Sequence, residues 1–168
     1  MSGQGAREET AYQAAIGRLG RHDHTKLELH EVLRAEGYAE PDIDRAMRRL
    51  ERHGFLDEAR LAERFTRSRV ERAGLGRGRI ASALEARGVP GPALERGMAE
   101  ALADVSEADA VAALARRYWR ARSREEPERR LQKLFALLLR RGFPAELVRE
   151  RLCALWPQWK DAIATTDP

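Results

Sequence analysis

Two runs of arginines contain the side chains in this sequence that are best suited to bind an anion. A guanidinium stays charged and makes flat, bidentate contacts with carboxylates and phosphates. Both runs are therefore candidate contact sites for nucleic acid or for an acidic protein surface. The first run contributes Arg67, Arg69, Arg72, Arg77 and Arg79. The second run contributes Arg116, Arg117, Arg120, Arg122 and Arg124, with Tyr118 and Trp119 among them.

Each run also has a structural interpretation. The first can form a solvated helix face with internal ion pairs such as Arg67–Glu71, although Arg77 opens a helix whose N-terminal amides also favour anions. Arginines with aromatic residues are typical of grooves that bind single-stranded nucleic acid. Alternatively, Tyr118 or Trp119 belongs to the hydrophobic core. The sequence leaves both interpretations of both runs open.

The other reactive side chains predict neither catalysis nor a cofactor. Glycines 74, 76 and 78 follow no strand and lack the Gly-Lys-Ser/Thr ending of a phosphate-binding loop, so we interpret them as a flexible turn between helices. His22, Asp23 and His24 are adjacent, so their side chains diverge where a metal site needs convergent ligands. Cys153 is the only cysteine, which excludes an intrachain disulfide and a multi-cysteine zinc site. We expect no catalytic residue, no metal and no cofactor, and we expect Cys153 to be a buried thiol.

The composition predicts an all-α protein. Val, Ile and Thr together supply only 15 of the 168 residues, whereas the good helix formers Leu, Ala, Arg and Glu dominate. No apolar run reaches the roughly 18 residues of a membrane span, and residues 1–10 lack the apolar core of a signal peptide. We therefore expect a cytoplasmic protein that makes no membrane contact. We also expect it to be a monomer.

The formal net charge of +4 conceals an uneven distribution. Residues 1–59 carry nine basic and twelve acidic side chains, a net of −3, and residues 60–115 carry nine and eight, a net of +1. Residues 116–168 carry thirteen and seven, a net of +6, and ten of these basic residues lie between Arg116 and Arg141. Such asymmetry favours an acidic partner. The alternative is that Arg and Glu merely cover solvated helix faces.

An internal repeat organises the chain. Gly37, Gly88 and Gly142 lie 51 and 54 residues apart, and apolar residues match around them. The residues eight and four before each glycine share one helix face, and the glycine ends that helix in a Schellman motif. Prolines that follow each glycine suit the start of a second helix. The matched apolar residues are Leu29, Ile80 and Leu134; Leu33, Leu84 and Leu138; Tyr38, Val89 and Phe143; Ile43, Leu94 and Val148; Met47, Met98 and Leu152; and Leu50, Ala101 and Leu155.

A further helix precedes each copy, at about residues 10–19, 58–73 and 107–121. Asp57 caps the second of these helices and Ser106, with Asp109, caps the third. Each unit is too small for an independent core, so stacked neighbours share burial. The predicted architecture is an elongated, curved array of three tandem three-helix repeats. Their bounds are residues 10–56, 57–104 and 105–157, between a disordered N-terminus at residues 1–9 and a loosely held tail at residues 158–168.

One passage combined with this repeat resembles the RecX family, whose members regulate the RecA recombinase. The passage reads GFLDEARLAERF over residues 54–65, then Arg67-Ser68-Arg69, then GLGRGRI over residues 74–80. It is similar to the family's Gly-aromatic-Leu-Asp-acidic turn, basic helix, glycine-containing loop and Arg-Ile helix start. The resemblance covers residues 11–157. Gly78 departs from it, since the family more often has a basic residue there, as does Leu61, where Phe is common.

The resemblance implies a modulator with no enzymatic activity. Family members bind the RecA filament on single-stranded DNA and lie in its helical groove across neighbouring subunits. They inhibit its ATPase, strand-exchange and co-protease activities by limiting filament growth or promoting disassembly. For this chain the resemblance implies a negative regulator of RecA that affects homologous recombination, DNA repair and the SOS response. Its basic later repeats would face the recombinase or the single-stranded DNA.

A DNA-binding protein of the helix-turn-helix kind, acting without a recombinase, is the alternative. A recognition helix should carry polar base-reading side chains after a tight turn. The candidate helices at residues 42–51, 93–102 and 145–155 are poor in Asn and Gln. Their composition argues against sequence-specific readout, though not against salt-dependent binding to phosphates. A third interpretation, a generic helical adaptor, predicts no effect on either DNA or a recombinase.

Overall fold

The computed structural model of the chain describes the backbone of residues 2–164 and the side chains of residues 9–163. Every regular element in that range is helical, and the predicted all-α fold of three tandem three-helix repeats is confirmed. The elongated, curved arrangement of the repeats stays a prediction. The helices are α1 Ser2–Leu19, α2 Lys26–Ala35, α3 Glu40–Arg52, α4 Glu58–Ser68, α5 Arg77–Ala86, α6 Gly91–Asp104, α7 Glu107–Ala121, α8 Pro127–Arg140, α9 Ala145–Leu155 and α10 Lys160–Ala164.

Each repeat contains one Schellman motif, at the glycine where the spacing predicts it. Gly37, Gly88 and Gly142 have φ of 88°, 79° and 85°, which residues with a side chain rarely adopt. The residue after each glycine donates its N–H to the carbonyl of the residue four before the glycine, as the motif requires. These bonds run from Tyr38 to Leu33 at 3.2 Å, from Val89 to Leu84 at 3.1 Å and from Phe143 to Leu138 at 3.3 Å.

The matched apolar residues form the hydrophobic cores. Sixteen of the eighteen are buried, and the other two, Tyr38 and Leu155, are half-buried. Burial on this scale accounts for the helices better than propensity does, because short helices in water depend on a packed apolar face. The repeat is therefore a repeat of core positions.

The chain forms two compact units. The first unit comprises residues 1–63 and 84–97, and the second comprises residues 64–83 and 98–168. The first has a core around Leu29, Leu33 and Ile43, and the second has a core around Leu134, Phe135 and Leu138. The division passes through α4, α5 and α6, so the predicted domain bounds, residues 10–56, 57–104 and 105–157, stay a prediction.

The two ends of the chain are more ordered than the sequence analysis predicts. Helix α1 begins at Ser2, so residues 2–9 are helical where we expected disorder, and Met1 lies outside the described residues. Glu9 accepts a hydrogen bond from Arg49 at 2.7 Å, which ties this helix to α3. The prediction of a loosely held tail is wrong for residues 158–163, because Ile163 is fully buried in the second core. Residues 165–168 lie outside the described range.

Candidate anion-binding site

The first arginine run begins on a helix that changes its winding. Asp57 caps α4, since its Oδ1 accepts a hydrogen bond from the N–H of Arg60 at 3.0 Å. Helix α4 continues as a π-helical turn over Arg69–Ala73 and ends at Gly74, whose φ is 59°. The predicted helix over residues 58–73 and its cap are confirmed. Short π-helical segments are frequent at functional sites, and this one carries Arg69 and Arg72.

The glycine-containing loop after this turn is docked against the end of α8. Gly76 donates its N–H to the carbonyl of Arg141 at 2.8 Å, and Gly78 donates to the carbonyl of Gly142 at 3.0 Å. A Cβ on Gly76 would overlap the backbone of Gly142 and Phe143. Our interpretation of a flexible turn is therefore wrong: glycine is needed at position 76 because two backbones pass too closely for any side chain.

Several arginines of the first run have partners within the second unit. Arg67 pairs with Asp104 at 2.8 Å. The structural interpretation of this run had suggested Glu71 as its partner instead. The guanidinium carbon of Arg69 lies 4.7 Å from the centre of the Phe65 ring. Arg79 is exposed in the first turn of α5. These contacts favour a structural role for much of the first run.

Arg77 makes the strongest of these contacts. Its backbone N–H donates to Oε1 of Glu107 at 2.7 Å, and its Nε and Nη2 each lie 2.6 Å from Oε2. The Glu107 side chain is only 2% exposed, whereas that of Arg77 is 55% exposed. A buried carboxylate needs a charged partner and hydrogen bonds, so Arg77 holds the first residue of α7 in place.

The aromatic residues of the second run belong to the core of the second unit. Ser106 caps α7, accepting the N–H of Asp109 at 3.1 Å, and the predicted helix bounds 107–121 are confirmed. Tyr118 and Trp119 are half-buried against this core, as our alternative interpretation expected. Arg122 lies 4.2 Å above the Tyr118 ring, and the buried Arg130 lies 3.6 Å above the Trp119 ring. The ring centre of Trp156 lies 4.4 Å from that of Trp119, and Trp156 packs on the same core.

A cavity of about 610 Å³ brings members of both runs together. Its walls are the π-helical turn and α7, and its basic residues are Arg72, Arg117 and Arg120. Glu71, Asp104 and Asp109 also line it, so its charge is mixed. We call it the arginine cleft. The other predicted site residues do not line it: Arg67, Arg69, Arg77, Arg79, Arg116, Arg122 and Arg124.

A second cavity, of about 630 Å³, lies between α7 and α8 and is more strongly basic. We call it the α7/α8 groove. Three of its cationic residues, Lys133, Arg140 and Arg141, are absent from the predicted site. The signal that could have found them is the helical spacing of Lys133, Ala136, Leu137 and Arg140, which places all four on one face of α8. The groove is lined by Leu114, Arg117, Tyr118, Ala121, Arg122, Glu125, Lys133, Ala136, Leu137, Arg140 and Arg141.

Among the described residues that line this groove, Glu125 alone is acidic. Its carboxylate accepts a hydrogen bond from Lys133 at 2.7 Å and lies 3.4 Å from Nε of Arg122. The hydrogen bond from Lys133 and the nearby positive charges of Lys133, Arg122 and Arg129 hold the pKa of Glu125 below its usual value. Because Lys133 and Arg122 already hold one carboxylate, the groove is a candidate site for anions.

In the first unit, Arg87 binds a carboxylate of the same unit. Arg87 donates from Nε and Nη2 to the two oxygens of Glu28, at 2.7 and 2.8 Å. Glu28 and Thr25 form a capping box at the start of α2, and the Thr25 hydroxyl donates to the carbonyl of Arg87 at 2.8 Å. The hydrogen bonds from Arg87 lower the pKa of Glu28. This cluster holds residues 25–28 to the turn at residues 87–88.

The described part of the chain offers no metal centre. Among residues 9–163, no three His, Cys, Asp or Glu side chains are placed to hold a metal ion. Cys153 is half-buried, where we expected full burial, because it lies at the edge of the second core. No helix among residues 2–164 is both long and apolar enough to cross a membrane.

Three family models match the chain in succession along its length. They describe the first, second and third three-helix domains of RecX, and they match residues 11–50, 57–98 and 106–152. A regulatory protein RecX of Halorhodospira halophila is 38% identical over 92% of this chain and 93% of its own length. Another, of Chromohalobacter salexigens, is 35% identical over 89% of this chain and 95% of its own length.

Solved structures share the fold. The crystal structure of RecX from Lactobacillus salivarius superposes with a TM-score of 0.79 and covers 94% of this chain and 98% of that one. A second crystal structure of a regulatory protein RecX gives a TM-score of 0.72 over 84% of this chain and 70% of that one. Their sequence identities of 19% and 20% make this a likeness of fold alone.

Proposed function

The chain belongs to the RecX family of regulatory proteins, and from that premise we propose that it is a negative regulator of the RecA recombinase. In this proposal it lies in the groove of the RecA filament on single-stranded DNA and spans neighbouring subunits. It inhibits ATP hydrolysis, strand exchange and co-protease activity. It acts as a monomer in the cytoplasm, without catalysis of its own, and its effect falls on recombination, DNA repair and the SOS response.

The arginine cleft is the observation that carries the proposal beyond the family. Arg72 and Arg117 lie 45 positions apart in the sequence, yet both line one cavity with Arg120. A filament offers two kinds of anion, the carboxylates of protein surfaces and the phosphates of DNA, and guanidinium groups bind both. Charged contacts of this kind speed association and fix the orientation of the partners.

The single-strand-dependent ATPase of the cognate recombinase tests this function. We expect ATP turnover to fall as the full-length protein is added, with most of the fall complete at a stoichiometric amount. The lifetime of the filament, followed by the fluorescence of labelled single strand, should shorten in parallel. Unchanged turnover and an unchanged filament lifetime at stoichiometric protein would contradict the proposal.

Binding to duplex DNA separates this function from the helix-turn-helix alternative. We expect fluorescence anisotropy at two salt concentrations to show duplex binding that is weak, independent of sequence and lost at the higher salt, because only phosphates are contacted. Tight, sequence-specific duplex binding together with an unaffected recombinase would favour the alternative.

A further inference from the structure

The α7/α8 groove combines an apolar strip with a cationic border. On α7 the lining residues are spaced as Leu114, Arg117, Tyr118 and Ala121, and on α8 as Lys133, Ala136, Leu137 and Arg140. Both sets follow the i, i+3, i+4, i+7 spacing of one helix face. The apolar members of the two faces form the strip. The cations that border it are Arg117, Arg122, Lys133, Arg140 and Arg141.

The border cations differ in what they already bind. Arg141 donates from Nη1 to the carbonyls of Ala73 and Gly74, at 2.9 and 3.2 Å, so it supports the neighbouring turn. Lys133 and Arg122 hold the carboxylate of Glu125. Arg117 and Arg140 are exposed at the groove. The groove therefore already binds one carboxylate of its own chain and presents two further guanidinium groups beside the apolar strip.

The aromatic residues argue against bases of a single strand as the occupant. Stacking supplies much of the binding energy of single-strand grooves and requires an accessible ring face. One face of the Tyr118 ring is covered by Arg122, and the ring also packs on the core. Trp119 is in contact with Arg130 and Trp156. Aliphatic side chains fit the strip better, since Leu114, Ala121, Ala136 and Leu137 form it with Tyr118.

We propose that the α7/α8 groove binds an acidic peptide segment of a protein partner, with the carboxylates on Arg117 and Arg140 and with aliphatic side chains on the apolar strip. Glu125 occupies the Lys133 end of the groove when no peptide is bound. The proposal builds on the proposed function, which requires an acidic partner. Its test uses an isolated peptide and no recombinase, so the failure of either one can be recognised separately.

The direct test is fluorescence anisotropy of a labelled peptide in which leucines alternate with glutamates, titrated with the full-length protein. Arg140→Glu should weaken binding by about tenfold or more, because it places like charges together. The matched control is Arg116→Glu, which makes the same charge change at an exposed position of α7 outside the groove. We expect the control to change affinity by less than about twofold.

A second pair of variants tests the role of Glu125. Glu125→Gln releases Lys133 and Arg122 and should strengthen peptide binding by about two- to fivefold, as befits exposed ion pairs. Glu146→Gln is the control, since it removes an equal charge from exposed Glu146, which pairs with the half-buried Arg149 on α9. A general electrostatic attraction predicts equal gains for both variants and would overturn the groove as the site.

Two further probes test the kind of ligand. A peptide of glutamates without leucine should bind more weakly than the alternating peptide, since it cannot fill the apolar strip. Labelled oligothymidylate should bind with the same affinity to the Arg140→Glu and Arg116→Glu variants. If oligothymidylate instead binds more tightly than the alternating peptide and loses affinity only with Arg140→Glu, the groove is a nucleic-acid site and the proposal is wrong. Equal thermal melting of all four variants shows that the comparisons concern folded protein.

Discussion

Arg77 and Arg117 are both exposed arginines of the second unit, and they differ in what stands opposite the guanidinium group. Arg77 faces Glu107, a carboxylate that is 2% exposed and that also accepts the backbone N–H of Arg77. Arg117 lines both the arginine cleft and the α7/α8 groove. Burial of the opposing carboxylate, rather than exposure of the arginine, separates the two roles.

Arg87 in the first unit resembles Arg77. Its fork binds both oxygens of Glu28, and its carbonyl accepts from a buried threonine. Glu28 accepts the N–H of Thr25 in the capping box of α2 while it binds Arg87. Glu107 accepts both the first N–H of α5 and the guanidinium of the same residue, Arg77. These two arginines stabilise the fold through contacts within their own units, whereas Arg117, Arg120 and Arg140 are exposed where they line cavities.

The largest expected loss of stability is at the glycine-containing loop that carries Arg77 and docks against residues 141–143. Gly76→Ala should destabilise the second unit by about 3 kcal/mol, because the new Cβ overlaps backbone atoms that have no room to move. Urea denaturation followed by tryptophan fluorescence measures this, since Trp119, Trp156 and Trp159 all lie in the second unit. Gly78→Ala is the control: its Cβ would lie 3.2 Å from the carbonyl oxygen of Gly142, and we expect less than about 1 kcal/mol. Equal losses would show that the loop is not docked as described.

One pair of substitutions tests whether Arg77 contributes more than Arg117 to the free energy of unfolding. Arg77→Ala should cost about 2 kcal/mol, since Glu107 is left buried with a single N–H donor. This figure lies below the full penalty for a broken buried pair because the guanidinium is 55% exposed. Arg117→Ala should change the unfolding free energy by less than about 0.5 kcal/mol. The same tryptophan-detected urea denaturation measures both, and the comparison fails if Arg117→Ala is the more destabilising change.

The cleft arginines should matter for function where Arg77 matters for stability. Replacing Arg117 and Arg120 together by Glu should raise the concentration needed for half-inhibition of the recombinase ATPase by about tenfold. The control replaces Arg116 and Arg124, which carry the same charge but do not line the cleft. If the two double variants lose inhibition equally, the effect is one of net charge and the cleft has no particular role.

The repeat, its helices and its turns could be predicted because they rest on local rules. The Gly37, Gly88 and Gly142 motifs follow from spacing and from the conformational freedom of glycine, and the caps at Asp57 and Ser106 follow from residue type. The partners of the arginines could not be predicted in the same way. Arg77 meets Glu107 across 30 positions and Arg87 meets Glu28 across 59, and nothing local to either residue specifies such a pairing.

The docked loop and the α7/α8 groove could not be predicted from the sequence for a related reason. A glycine in a loop predicts flexibility, and glycine is necessary at position 76 only because the backbone of residues 141–143 packs against it. Lys133 and Arg140 stand in the basic stretch that the sequence analysis recognised. Their role as one wall of a groove depends on the packing of α8 beside α7, which fixes which face remains open.

The smallest expected effect is the pH dependence of the Glu28–Arg87 pair. Arg87 lowers the pKa of Glu28 in the folded chain, so ionised Glu28 contributes stability above its ordinary pKa of 4.5. That contribution is lost as the pH falls from there through the lowered value.

Glu28→Gln should therefore destabilise the first unit by about 1 kcal/mol near neutral pH, as is usual for a charge-assisted hydrogen bond. The difference from the unaltered chain should shrink below about pH 4.5 and vanish once Glu28 is protonated. Urea denaturation followed by circular dichroism over this pH range measures it, with Glu31→Gln, an exposed position on α2, as the control. A difference that stays constant with pH would mean that the pair contributes through packing and not through its charge.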